Sequence, residues 1–301
     1  MANKKDLEYI YSTIDELFRL SIGNTGDFSC AMYNGDYSMS LEAAQDAKHK
    51  FIARELKLQP GMRVLDMGCG WGPLLSYYTK ECGVDAIGIT LSDAQAKACK
   101  KNGLHAVVRD LREITPAEFG QFDAISSVGA FEHFCSAEDM LTGRQPGVYR
   151  KFFQLVHDLL KPGGRAYIQT MVFGKNMIPY EQISLKAPKG SDAYILGLMI
   201  EQFPGSWLPY GAEMVEETAA PWFNLIFKSS GRLDYIETIT QWDIRYRRFH
   251  WKKYLLFLSL LPRYLYSREF RYRVEIFQSS PNQECFRREI MDHYRMVFER
   301  K

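Results

Sequence analysis

The sequence has no CxxC pair, no internal repeat and no low-complexity tract. The missing CxxC argues against a zinc or thioredoxin-type site. The six cysteines, at 30, 69, 82, 99, 135 and 285, are scattered, which suits reduced thiols in a cytoplasmic protein. No apolar run reaches the roughly 18 residues that a membrane-spanning helix needs, so no such helix is expected. The opening stretch "MANKKDLEYIYSTIDELF" is amphipathic and lacks a continuous apolar segment, so no secretory signal is expected. Charge of one sign is also missing. Lys and Arg number 38 against 36 Asp and Glu, a net charge of +2, and this balance predicts no nucleic-acid partner.

What the chain has is apolar and aromatic bulk. Hydrophobic residues make up 46% of 301 positions, with 19 Phe and 18 Tyr. That supports a packed core in one large domain rather than disorder. Residues 4–20 carry Leu7, Ile10, Tyr11, Ile14, Leu17 and Phe18 at helical spacing. Residues 23–38 read as a loop, and 40–56 as a helix with Ser40 as N-cap. From Val64 onward strands alternate with helices. Strands are expected at 64–67, 85–90, 105–110, 122–129 and 165–172, and helices at 73–82, 92–102 and 147–160, the last stopping at "KPGG". This rhythm predicts an α/β fold, a mostly parallel Rossmann-like sheet with helices on both faces. Residues 174–230 break the rhythm and read as a helical lid insertion over the ligand crevice. Residues 232–241 and the alternating "IMDHYRMVFER" read as late strands. The domain then divides into an N-terminal helical cap (1–60), a cofactor-binding core (61–173), the lid (174–230), and a C-terminal part of strands and a basic amphipathic segment (231–301).

The stretch "VLDMGCGWG", Val64 to Gly72, takes a strand into Gly68-x-Gly70-x-Gly72. Glycines there let backbone approach a ligand that a Cβ would block, and the next helix N-terminus faces the same ligand. A dinucleotide turn wants G-x-G-x-x-G and an acid at the end of the second strand. Here the spacing differs and Thr90 stands where that acid would be. Both features point away from NAD and toward S-adenosylmethionine, which carries no phosphate. Asp66 then falls near the methionine ammonium, and Asp110, beside Leu111, falls where it can accept from the adenine amino group.

Beyond that motif, the chain resembles the cyclopropane-fatty-acid synthase and mycolic acid methyltransferase family. The matching pieces are "FSCAMY" (28–33), "LEAAQDAKHKFI" (41–52), "LQPGMRVLDMGCGWG" (58–72), "GITLSDAQ" (88–95), "SVGAFEHF" (127–134), "FPGSWLP" (203–209) and "YIETITQW" (235–242). The resemblance implies a class I methyltransferase fold with a lid over a lipid-sized pocket. It implies that Phe28, Ser29, Gly68, Gly70 and Gly72 lie against the cofactor, that Thr90, Leu91 and Gln95 hold the ribose region, and that Asp110 and Leu111 flank the adenine. Glu132 would stand beside the reacting methyl. In cyclopropane synthases a bound bicarbonate serves as base, held by Cys, Glu, His, Tyr and backbone. The resemblance places Cys30, Glu132 and the Val128 backbone in that set.

Two departures stand out. The histidine expected after "KPGG" is Gln169, and no tyrosine lies between Arg273 and His293. The loop "CSAEDMLTGRQPGVY" (135–149) is longer than usual and is expected near the pocket mouth. His133 accordingly has two open roles, general base or packed histidine, because plant alkaloid N-methyltransferases also carry a "FEH" pair. Cys30 likewise is either an anion ligand or a small apolar wall residue. Residues 243–273 hold nine Lys/Arg, two acids and the run "YLLFLSLLP". They either lie on an anionic membrane surface or pack on the domain. The expected activity is methyl transfer to a lipid or other large apolar acceptor, with amine N-methylation, true cyclopropane synthesis and a non-enzymatic lipid-binding role as alternatives.

Overall fold

The computed structural model describes residues 26–301, apart from 204, 250, 269 and 273–279, and gives position 252 by its backbone alone. The helix expected over 4–20 lies outside the described residues. The first described helix, α1 (Leu41–Glu55), starts at Ser40, whose side chain accepts from the Ala43 amide. Strand β1 (Arg63–Met67) is followed by α2 (Pro73–Lys80), β2 (Asp85–Thr90), α3 (Asp93–Lys101) and β3 (His105–Val108). A short α4 (Pro116–Phe119) leads to β4 (Phe122–Val128), a 3₁₀ turn (Phe131–His133) and α5 (Ala137–Leu141). Then come α6 (Gln145–Leu159), β5 (Leu160–Phe173), α7 (Asp192–Gln202), α8 (Gly211–Ala219) and β6 (Phe223–Ser230). The chain ends with α9 (Arg232–Arg247), α10 (Trp251–Tyr266), α11 (Pro281–Arg287) and β7 (Met291–Arg300).

The seven strands form one sheet in the order β3-β2-β1-β4-β5-β7-β6. Five are parallel, and β7 runs antiparallel to both β5 and β6. The central strands read as continuous apolar runs because helices cover both faces. Leu65, Ile125 and Phe122 are buried on one face with Phe153 and Val156, while Val64, Ala124 and Tyr167 meet Leu75 and Tyr78 on the other. Strand order reverses between β1 and β4. In open α/β sheets ligands bind at that switch point, outside the C-terminal strand ends.

The structure corrects several expectations. Residues 232–241 are helix, not strand: α9 buries Asp234, Tyr235, Thr238, Ile239 and Trp242. That spacing is helical, and the β-branched composition of "YIETIT" concealed it. The stretch 174–230 is not all lid. Its last eight residues are β6, which pairs with β7 and alternates buried and solvent-facing positions along one edge of the sheet. "KPGG" is carried inside β5, with a register shift against β4 near Phe122.

Candidate active site

A cavity of about 1170 Å³, counted to its open mouth, lies over the switch point. Its floor is the loop after β1. Gly68, Gly70 and Gly72 take φ values of +93°, +54° and +85°, conformations that side chains disfavour. Gly68 and Gly70 line the cavity. Gly72 does not: a Cβ there would lie 2.8 Å from both Cys99 Sγ and Leu104 Cδ1. It serves close packing of α2 and α3 instead, and caps α2.

Every other residue expected around the cofactor lines this cavity: Phe28, Ser29, Asp66, Thr90, Leu91, Gln95, Asp110, Leu111 and Val128. Each strand end supplies its part. Asp66, on β1, is buried and accepts from Ser126 Oγ at 2.8 Å, and burial raises its carboxyl to about 7. Thr90 Oγ1 at the end of β2 donates to Gln95 Oε1 at 2.6 Å. Asp110, past β3, is held by Arg112 Nε at 2.9 Å, so its carboxylate is steered by an ion pair at the cavity rim.

Sequence reasoning missed one polar cluster. Gln45, Lys48 and His49 sit on the buried face of α1. Lys48 Nζ donates to Asp27 Oδ2 (2.8 Å), Ser29 Oγ and Gln45 Oε1, and His49 Nε2 lies 2.8 Å from the same Asp27 oxygen. Burial alone would raise the Asp27 carboxyl, but the Lys48 and His49 charges and hydrogen bonds hold it well below the usual carboxylate range. Asp27 and Lys48 both line the cavity. The available signal was the i, i+3, i+4 spacing of three polar residues on a face that otherwise points inward.

A second cavity, about 960 Å³, adjoins the first. Phe28, Ser29, Gly129 and His133 line both, so these residues form the seam between them. The wall is apolar: Met177 and Ile183, then Leu196, Met199 and Ile200 from α7, then Phe203 and Trp207. These lie in the stretch expected as a lid. The loop 135–149 contributes no lining residue to either cavity. It works from behind, where the Cys135 carbonyl accepts from the Trp207 amide and Gln145 Nε2 donates to the Leu208 carbonyl at 2.8 Å.

The lining also has polar members, and Cys30, Glu132 and Gln169 are among them. The 3₁₀ turn that carries Glu132 is fixed by Phe131, which stacks on Tyr149 at 4.7 Å and meets Phe152 edge-on at 4.9 Å. Glu132 Oε1 accepts from the Met171 amide at 2.8 Å. Its Oε2 is buried without a partner. Burial raises this carboxyl to about 7 and the Cys30 thiol to about 12. His133 pairs with Ser206 Oγ at 2.9 Å, and burial lowers its imidazole to about 4. Tyr235, on α9, also lines this cavity. Reading α9 as a strand had hidden it.

The comparisons agree with this geometry. The family model for mycolic acid cyclopropane synthetase matches residues 1–272. Cyclopropane mycolic acid synthase 3 of Mycobacterium tuberculosis is 31% identical over 236 residues, 77% of this chain and 78% of that protein. The cyclopropane-fatty-acyl-phospholipid synthase of Escherichia coli is 31% identical over 79% of this chain and 55% of its own length. The solved structure of the mycolic acid cyclopropane synthase CmaA1 with SAH and CTAB superposes with a TM-score of 0.77 at 26% identity, covering 99% of this chain and 98% of that one. The chain thus belongs to the mycolic acid cyclopropane synthetase family of S-adenosylmethionine-dependent methyltransferases.

Proposed function

We propose that this enzyme transfers the methyl group of S-adenosylmethionine to carbon, at a double bond in an acyl chain or comparably long apolar acceptor. The observation that carries this reading is the second cavity. It adjoins the cofactor cavity and is lined mainly by apolar side chains, Met171, Phe173, Leu196, Met199 and Phe203 among them, with Cys30, Glu132 and Gln169 among its polar lining. S-adenosylmethionine supplies an electrophilic methyl on a sulfonium, so the protein's task is to position, to exclude water and to manage charge. The residues present fit this cofactor. Asp66 holds its ammonium, Gly68 and Gly70 let it approach the backbone, and Asp110 and Leu111 receive its adenine. The seam at Phe28, Ser29, Gly129 and His133 is then where the methyl passes.

Carbon is favoured over amine nitrogen by His133. An amine acceptor must be stripped of a proton, and an imidazole held near 4 is a poor base for an ammonium. Glu132, by contrast, stands where a developing carbocation would gain from an anion. A bicarbonate in this cavity would find Cys30, Glu132 and Tyr235 in its lining, but Gln169 is already engaged at both ends of its amide.

The acceptor is reached from a membrane surface. Helix α10 exposes Tyr254, Leu255, Leu258, Leu261 and Leu265, flanked by Arg247, Arg248, Arg263, Arg268 and Arg271, and no acid occurs from 244 to 268. Such a face suits anionic head groups with apolar side chains dipped below them. No helix among the described residues is long and apolar enough to cross a membrane. Incubation with methyl-labelled cofactor and a total lipid extract tests the reading. Label should enter a lipid with a mass gain of one carbon. Cofactor binding without any labelled lipid refutes it.

A further inference from the structure

The two cavities share a seam, but their walls differ in kind. The cofactor cavity takes Asp66, Gly68, Gly70, Thr90 and Asp110 into its lining and, among the described residues, no methionine. Four methionines line the adjoining cavity: Met171, Met177, Met199 and Met291. The whole chain holds 12, so a third of them meet at one place. They come from separate elements. Met171 lies on β5, Met177 follows that strand, Met199 lies on α7 and Met291 opens β7. The cluster therefore arises from tertiary convergence and not from one helical stripe. Met199 and Met291 are buried in the core that also holds Leu196, Trp207 and Tyr235, and Met171 and Met177 pack against it.

Methionine is unbranched, with three rotatable bonds and a polarisable thioether, so it re-packs around different shapes with little penalty. Leucine, isoleucine and valine keep well-defined rotamers and would give a wall of one shape. The polar lining behaves in the opposite way. Gln169 is held at both ends of its amide, by the Tyr167 hydroxyl and the Cys30 carbonyl. His133 pairs with Ser206, and Glu132 Oε1 accepts from the Met171 amide. Fixed polar groups thus share the cavity with an adaptable apolar wall. Surfaces that accept several partners use flexible, methionine-rich packing in this way.

We propose that the four methionines set acceptor specificity, and set it broadly. The enzyme takes unsaturated apolar chains that differ in shape and in the place of the double bond, at similar rates. This rests on the carbon-methylation reading above and extends it to the range of acceptors. A rigid apolar pocket discriminates one methylene by roughly tenfold or more. A wall that re-packs loses that discrimination, because each chain meets its own arrangement of side chains.

Two measurements on the full-length protein test this. The first needs no turnover and uses the S-adenosylhomocysteine-loaded form. Isotope-labelled methionine methyl groups are followed by NMR, with signals assigned from Met171→Leu, Met177→Leu, Met199→Leu and Met291→Leu. Oleate and elaidate, the cis and trans forms of one chain, are added below their micelle concentrations. The four signals should shift in a different pattern for each isomer, while Met67 and Met296 in the sheet core stay still. Identical patterns for both isomers, or no shift at any of the four, overturns the proposal. The second measurement offers labelled S-adenosylmethionine and an equal mixture of three cis-monounsaturated phospholipids. Their chains are equal in length and differ only in double-bond position. The wild type should label all three at rates within about threefold of one another. The variant carrying all four leucine substitutions conserves volume, so it should fold and bind S-adenosylhomocysteine as the wild type does. Its three rates should spread roughly tenfold or more. A wild type that already discriminates tenfold, or a folded quadruple variant with the wild-type spread, overturns the proposal. Failure of the carbon-methylation reading would look different: no label in any lipid with the wild type, while the isomer-specific NMR shifts persist.

Discussion

Gly68 and Gly70 are two residues apart in one turn, yet alanine at each should fail in different ways. At Gly68 φ is +93° and an added Cβ would sit 2.4 Å from Ala130 Cβ, closer than any real contact. Ala130 is backbone-anchored between β4 and the 3₁₀ turn and cannot step aside alone. Left-handed strain of about 1–2 kcal/mol adds to overpacking of about 1–3 kcal/mol. For a chain of this size each kcal/mol moves Tm by roughly 2–4 °C, so Gly68→Ala should melt on the order of 10 °C lower. At Gly70 φ is +54°, within reach of alanine, and an added Cβ meets no protein atom within 4 Å. The cost to the fold there is only the strain, about 1–2 kcal/mol. Gly70 lines the cofactor cavity, so Gly70→Ala should weaken S-adenosylhomocysteine binding tenfold or more, about 1.4 kcal/mol or above. Differential scanning calorimetry and titration calorimetry on both variants decide it. Wild-type affinity in Gly70→Ala, or an unchanged Tm in Gly68→Ala, would refute the placement of the turn.

Asp66, raised to about 7, should lose its proton when an ammonium binds, so S-adenosylhomocysteine titrations near pH 6 should release a proton, visible as a dependence of heat on buffer ionisation; equal heats in two buffers contradict this. Asp66 and Glu132, both raised to about 7, make the folded state bind more protons than the unfolded one between roughly pH 4 and 7. Stability of the cofactor-free protein should therefore fall as pH rises through that window, and a thermal melt series that rises instead would exclude it. Lys48→Met leaves the buried Asp27 carboxylate without its 2.8 Å partner and should cost about 3–5 kcal/mol in denaturant unfolding; a loss under about 1 kcal/mol would mean the pair is not desolvated. Leu255→Asp with Leu258→Asp should abolish sedimentation with anionic vesicles while leaving Tm unchanged, and retained vesicle binding would remove α10 from the membrane contact.

The lining of the cavity over the switch point was legible in the sequence because it is local. Gly68, Gly70, Thr90, Asp110 and Val128 each stand at or just past the end of a strand whose apolar run is unmistakable, and the sheet order brings those ends together without further information. Gly72, expected against the cofactor, does not line the cavity, because spacing alone cannot separate a glycine that faces a cavity from one that faces Cys99 and Leu104. Asp27, Lys48 and His49 were missed because their meaning lies in a pairing across 21 and 22 residues, and no motif marks an ion pair.

The acceptor half depends on longer connections. Gln169 stands on β5 where the resemblance leads one to expect a histidine, and its surroundings come from distant parts of the chain. The antiparallel addition of β7, 120 or more residues downstream, sets His293 one rung away on the same face, and α9 delivers Tyr235 beside it.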